Sequence, residues 1–361
     1  MRNIKDLTSD GFTLSERGDD LKDVAMVSLK IALQAFFSTY KAVKRDFVMY
    51  KMGQQLGNPD CPFPASYSSA YCEASTEAIV HFQHFVELVF KDLLHADHTV
   101  GFRIVAEHLY ALIKSKQLRN YSELDFILEF QQALDELNHL RNRIWHRGVF
   151  ILRYHALDEF VGYHILPFIE KVMGLPQYAD KQYLWKYSDL SCGVDPIKEI
   201  TDHFRSGQYD ICKVALLKEL GRAAYVAGIV MPKLGRGIVD RGERRRLAEG
   251  MAAARAKAES EGGDVIAESV RNCPVCGVKT LIMYGDFDSY PVIADYDEDT
   301  PEPVWFTTFD VECTNCTFSI HDEIDNPSTY GLPLEDYWHS EEIPVQGQKI
   351  RRRVCDGDVH P

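Results

Sequence analysis

Nothing in this 361-residue chain approaches the run of about 18 apolar residues that a membrane-spanning helix needs. The best candidate, "AAYVAGIVM", is far too short, so no membrane segment is expected. The opening "MRNIKDLTSDGF" lacks an apolar core and carries acids early, which argues against a secretory leader. The reading is therefore a cytoplasmic protein whose nine cysteines serve as thiols or metal ligands rather than disulfides. Basic residues are in the minority, 40 against 54 acids, for a net charge of −14. That balance excludes a protein coated in nucleic acid. It leaves room for a local basic site, because charge is screened over about 8 Å at physiological salt. No internal repeat is present, and no low-complexity tract beyond one charged stretch.

What is there is an ordinary globular composition, 45% apolar and 26% charged, long enough for two or three domains with real cores. The first half reads as helical. Residues 20–56 form a long periodic segment closed by the breaker "GNPDCPFP". Ser75 is placed to cap the next helix, with Glu77 in its first turn; the apolar set from Ala78 to Leu94 makes the wide stripe of a core-facing helix. A third helix spans about Val100 to Lys116. A fourth runs from near Ser122 through Leu134, Leu137 and Ile144, with Gly148 a break, and a fifth from about Val149 to Val172. Short connections between them point to an antiparallel bundle. Further helices are expected at 196–206 and 208–230.

Residues 232–260 hold eight Lys/Arg against four Asp/Glu with little apolar content, and read as a solvated helical linker. From Asp264 onward the texture turns to strands: "KTLIMYG", "YPVIADY", "VWFTTFDVE" and "CTFSIHDEI", separated by Gly, Pro and Asp. The expected organisation is a helical addition at 1–60, a bundle at 61–178, a helical extension and charged linker at 179–262, a small β-rich domain at 263–345, and a disordered tail at 346–361.

Two CxxC pairs, Cys273/Cys276 and Cys313/Cys316, stand 36 residues apart. Two residues between cysteines let both thiolates of a knuckle reach one ion, and a second knuckle completes the tetrahedron that Zn²⁺ prefers. A structural zinc ribbon with an inserted hairpin or loop is expected. Four thiolates leave no open coordination position, so no catalysis is assigned to it. A dithiol redox pair would need a CxxC opening a helix in a βαβ context, which is absent. The insertion "GDFDSYPVIADYDEDTPEPVW" carries seven acids and no base, which repels phosphate and favours a protein contact, a partner or an inhibitor, at the ribbon. Cys61, Cys72, Cys192, Cys212 and Cys355 read as ordinary thiols.

Against the acidic background, "LNHLRNRIWHRGVF" gathers Arg141, Arg143, Arg147, His139 and His146 without one acid. On a helix Asn142 and His146 share a face. Arg141 falls instead in line with Leu134, Leu137 and Ile144, the apolar stripe. A guanidinium there cannot shed its charge and needs an anionic or carbonyl partner, such as Glu87 or Asp135.

"LRNRIWHRG" on a late helix resembles the R-N-x3-H form of the HEPN family's motif, and "AIVHFQHFVELVFKDLL" resembles that family's early helix with an E-x3-K pattern, here Glu87 and Lys91. The likeness covers about residues 75–175 and departs from the subgroup with Tyr two residues after the histidine, since position 148 is Gly. The resemblance implies a HEPN-like antiparallel helical bundle acting as a homodimeric, metal-independent endoribonuclease on an RNA substrate, of the kind found in toxins and antiphage effectors. It implies His146 as acid or base, Arg141 on the phosphate, and Asn142 orienting either. Glu87, Lys91, Arg143 and Arg147 follow in second rank; Arg153 would join Arg143 and Arg147 at a rim, and His139 and His155 compete below His146. The alternative is a non-catalytic bundle that binds or scaffolds partners and uses the ribbon for protein contacts.

Overall fold

A computed structural model of the chain describes residues 21–57, 63, 66–96, 100–118, 121–146, 150–184, 190–227, 241–262, 266–289 and 304–343. It is mainly helical, with one small antiparallel sheet in the C-terminal region. Helix α1 covers Leu21–Val43, α2 Phe47–Gln55, α3 Ser69–Leu94 and α4 Phe102–Lys114. Two single turns, α5 at Tyr121–Leu124 and α6 at Phe126–Glu129, precede α7, Gln131–His146. Then come α8, Tyr154–Phe160, which passes through a wide turn into α9, Leu166–Met173, and later α10, Pro196–Arg205, α11, Ile211–Ala227, and α12, Arg241–Gly262. The strands are β1, Ile266–Asn272; β2, Lys279–Ser289; β3, Val304–Cys313; β4, Ser319–His321; and β5, Ser340–Ile343. Among the described residues no helix is long and apolar enough to cross a membrane.

The chain divides into two compact units that are not contiguous in sequence: Met1–Phe36 with Ser69–Leu184, and Phe37–Ser68 with Trp185–Pro361. The first unit is built around α3. Thirteen of its residues are buried, with Phe82, Phe85, Val89 and Phe90 at its centre, so the helix is enclosed on most sides rather than along one stripe. Phe90 meets Phe102 of α4 in a stack at 5.8 Å and Phe168 of α9 edge-on at 6.4 Å. Ser75 is not a cap: the helix begins six residues earlier, and Ser75 lies buried in its second turn. The stretch from Ser122 is not one helix either. It turns twice through three-residue hydrogen bonds, Leu128 N–H to Asp125 O and Phe130 N–H to Ile127 O, and so brings Phe126 and Phe130 onto Phe168. Aromatic packing overrides helical continuity there.

In the second unit the sheet runs β1-β2-β3-β4, with β5 also paired to β3, all antiparallel. β2 and β3 form a long ladder from Leu281 opposite Cys313 to Ser289 opposite Val304. Of the two insertions expected between the knuckles, hairpin or loop, that ladder is a hairpin's paired strands. The charged helix α12 packs on β1 and β2 through Ala256, which meets Ile282 and Tyr284, and Ala252 one turn earlier is also buried; Tyr284 donates to Glu259 at 2.8 Å. Alanine lets helix and sheet approach closely, and at the edge of that contact Arg255 pairs with Glu312 of β3 at 2.9 Å. The register slips at Gly285, where the Phe306 ring would sit 2.2 Å from any Cβ, so only glycine fits beneath it. The acidic run 290–303 and the tail lie outside the described residues.

Candidate functional site

Helix α7 presents its seam residues to α3. Leu134 and Leu137 are fully buried, and Arg141, one turn further along the same line, is half-buried. It borders a cleft of about 480 Å³ whose walls are Gln83 and Glu87 of α3, the start of α4 from Gly101 to Ile104, and Asn138, Arg141 and Asn142 of α7. Residues 55 positions apart in the chain thus share one concavity. Arg141 donates to Asn142 Oδ1 at 3.0 Å and lies 5.8 Å over the exposed Trp145 ring. Among the described residues no carboxylate sits within ion-pair distance of it; neither Glu87 nor Asp135 pairs with it.

Glu87 is held on both oxygens. Lys91 Nζ, itself 5% exposed, donates to Oε1 at 2.7 Å, and Gln83 Nε2 donates to Oε2 at 3.2 Å. Burial of Lys91 makes this pair more than the exposed i,i+4 contact that spacing alone suggests. Arg103 at the cleft mouth is already engaged with Glu107 at 2.8 Å, so Arg141 is the cleft's uncommitted cation among the described residues. The first turn of α4 adds a favourable edge: its N-cap is Gly101, with no side chain to cap the helix amides.

His146 ends α7, and its side chain lies outside the described residues, as does Arg147. Arg143 points away from the cleft lining, its guanidinium 3.4 Å above the Phe150 ring. His139 is exposed on α7. His155, in the first turn of α8, is half-buried, and burial moves its imidazole below the usual range, with Arg153 adding to the shift and Glu159 opposing it.

Several residues here carry no signal that the motif reading used. Gln83, Glu87 and Lys91 recur every four residues, one polar line along the buried half of α3, and that periodicity alone could have raised Gln83. His84 lies beside them. Its Nδ1 is 2.7 Å from Ser28 Oγ, and burial depresses its pKa against the pull of Glu87, with His81, Lys91 and Arg141 adding to the depression. Asn138 and Phe102 enter only through the way α4 and α7 close on α3.

The four cysteines come together in the second unit. Cys273 Sγ lies 3.5 Å from Cys316 Sγ, and Cys276 Sγ 3.8 Å from Cys313 Sγ; three of the four residues are buried. The knuckles are built alike. Val275 N–H and Cys316 N–H each point at the leading cysteine's sulfur at 3.4 Å. The residue after each pair, Gly277 at φ +68° and Thr317 at φ +61°, turns left-handed to close the loop. Threonine is held there by Arg222, which donates to both Thr317 oxygens. The cluster could hold a metal ion. Cys72, Cys192 and Cys212 stand apart from it as free thiols; Cys61 and Cys355 lie outside the described residues. A second group, His321, Asp322 and Glu323, also brings ligand atoms within 4.8 Å of one another.

Comparison of the chain with family models, curated proteins and solved structures finds no match.

Proposed function

We propose that the chain is a metal-independent endoribonuclease of the HEPN type, with Arg141, Asn142 and His146 as its working residues. The observation that carries the reading is Arg141: a half-buried guanidinium on an apolar seam, open to a cleft and without a carboxylate partner among the described residues. Such a charge needs an anion, and the ligand it fits is a phosphodiester. The uncapped start of α4 in the same cleft favours the same sign of ligand.

The chemistry follows. The ribose 2′-oxygen attacks phosphorus as His146 takes its proton; the bond from phosphorus to the 5′-oxygen breaks, and a proton returns to that leaving oxygen. A 2′,3′-cyclic phosphate and a free 5′-OH result. An imidazole titrating near neutrality suits both transfers. Arg141 stabilises the charge that builds on the non-bridging oxygens, bidentate as lysine cannot be. Asn142, bound to Arg141, holds that guanidinium in place. A second protomer facing the first across a two-fold axis completes the cleft with its own arginine and histidine.

The cysteine quartet belongs, in this reading, to a structural zinc ribbon. Zn–S bonds of about 2.3 Å in a tetrahedron require sulfurs about 3.8 Å apart, and the two separations above fit. When bound, zinc supplies a cross-link between the two knuckles and no open coordination site.

The test is purified full-length protein with 5′-labelled single-stranded RNA in buffer without added divalent metal. Wild type is expected to leave 2′,3′-cyclic phosphate and 5′-hydroxyl ends. Arg141→Ala and His146→Ala should each be slower by a factor on the order of 10²–10⁴. Equal cleavage by all three proteins, or activity only with added Mg²⁺, would sink the proposal.

A further inference from the structure

The cleft beside Arg141 holds more than a phosphate requires. Its volume of about 480 Å³ lies within the roughly 300–1,000 Å³ of small-ligand pockets. Besides Arg141 and the exposed Arg103, which is paired with Glu107, it presents three carboxamides and a carboxylate. Phosphate recognition uses donors only; the Glu87 carboxylate, its charge paired with Lys91, has no part in it. The polar set therefore matches a ligand with both donors and acceptors on one edge, and Phe102, stacked on Phe90, gives that edge an apolar wall.

The arrangement of donors and acceptors can be read residue by residue. A guanidinium only donates, so the contact from Arg141 fixes the Asn142 amide with its oxygen toward the arginine and its NH₂ group uncommitted. Glu87 is an acceptor held still: Lys91 and Gln83 occupy one site on each oxygen, and a carboxylate offers about four. Gln83, 2% exposed, cannot swing away, since it is packed within α3 and tied to Glu87. Asn138, one turn before Asn142 on the same helix edge, has no partner among the described residues and offers one donor and one acceptor. An uncommitted NH₂ donor thus faces the same cavity as a carboxylate with two open acceptor sites.

We infer that this cleft is a base-reading subsite selective for guanine, with Glu87 accepting from N1–H and the exocyclic N2 amine and Asn142 donating to O6. Guanine is the one standard base whose Watson–Crick edge runs acceptor, donor, donor. Adenine offers one donor beside an acceptor; uracil offers one donor between acceptors; cytosine follows its one donor with two acceptors. A carboxylate opposite any of these three meets at least one lone pair in place of a hydrogen. The inference rests on the ribonuclease reading for its biological setting, but the pocket's selectivity is independent of whether cleavage occurs.

The experiment is isothermal titration of full-length protein with the 3′-monophosphates of guanosine, adenosine, cytidine, uridine and inosine. These have no phosphodiester to cleave, so binding is read apart from turnover. Guanosine 3′-monophosphate should bind at least about tenfold more tightly than the adenosine, cytidine and uridine forms. Inosine, which keeps O6 and N1–H but lacks the N2 amine, should fall between. Glu87→Gln should pull the guanosine affinity toward that of the other three. Asn142→Ala should weaken guanosine and inosine alike, and serves as the second variant should loss of the Lys91 partner upset the fold. Equal affinity for all five ligands, or no binding of any at millimolar concentration, overturns the inference even if RNA is cleaved. Selective guanosine binding by a protein that leaves RNA intact upholds the subsite and fails the ribonuclease instead.

Discussion

Glu219 is fully buried on α11 and spends both oxygens on fixed partners. Oε2 takes Arg222 Nε at 2.7 Å, while Oε1 takes Arg222 Nη2 at 2.6 Å and Ser319 N–H at 2.8 Å. Arg222 in turn reaches the left-handed Thr317 that closes the second knuckle. One carboxylate therefore links a helix, a strand and a cysteine loop. Replacing it with alanine strands a largely buried guanidinium. Glu219→Ala should lower unfolding free energy by about 3–5 kcal/mol, measured by urea denaturation. A loss under about 1 kcal/mol would mean that Arg222 finds another partner. Arg141 differs in kind: among the described residues it has no such carboxylate, whereas Arg222 is fixed by one.

At the scale of elements, the two knuckles and the β2–β3 ladder form one construction. Cys313 ends β3 opposite Leu281, and Cys273 follows directly on β1. The strands thus deliver the sulfurs, and a metal among them would pin the sheet's end. Elemental analysis should return about one zinc per chain. A strong chelator should release it and erase the near-ultraviolet signal of the β-region's tryptophans, Trp305 and Trp338, because metal-binding energy in such sites is also folding energy. Metal-free protein with an unchanged spectrum would show that the knuckles stand on their own hydrogen bonds. Helix α12 belongs to the same construction. Its composition reads as a solvated helical linker; the helix is there, and Ala256, a small residue lost among the charges, marks the face that docks.

Across the whole chain, the imidazoles His84, His155, His164 and His203 are all shifted below their ordinary value, burial being the leading cause in each. His203 shows why most plainly: its Nε2 accepts the Asp210 N–H at 2.9 Å, a bond that protonation would break. The unfolded chain takes up these protons near pH 6.5, while the folded chain resists until lower pH. Between those values the unfolded state binds more protons, so stability rises with pH through that window and flattens above it. Thermal midpoints should fall as pH drops from about 7 toward about 5, and stay level from about 7 to about 8. A midpoint that rises on acidification across that range would contradict burial of these rings in neutral form.

Residue order by itself determined that the chain is mainly helical with a short β-rich end, because hydrophobic period and strand composition are local properties. It also determined that four cysteines would meet, because CxxC spacing builds each knuckle within a single turn. Arg141's place in line with Leu134 and Leu137 was likewise readable, since helical angle is fixed by spacing. What only tertiary structure decided was which surfaces close on that arginine. Gln83 and Glu87 line the same cleft from a helix some 55 residues earlier and Phe102 from the start of α4, and no local pattern encodes a meeting between distant segments. The breaks at Asp125 and Phe130 were settled the same way, by Phe168 drawing aromatic rings out of a sequence that would otherwise continue as helix.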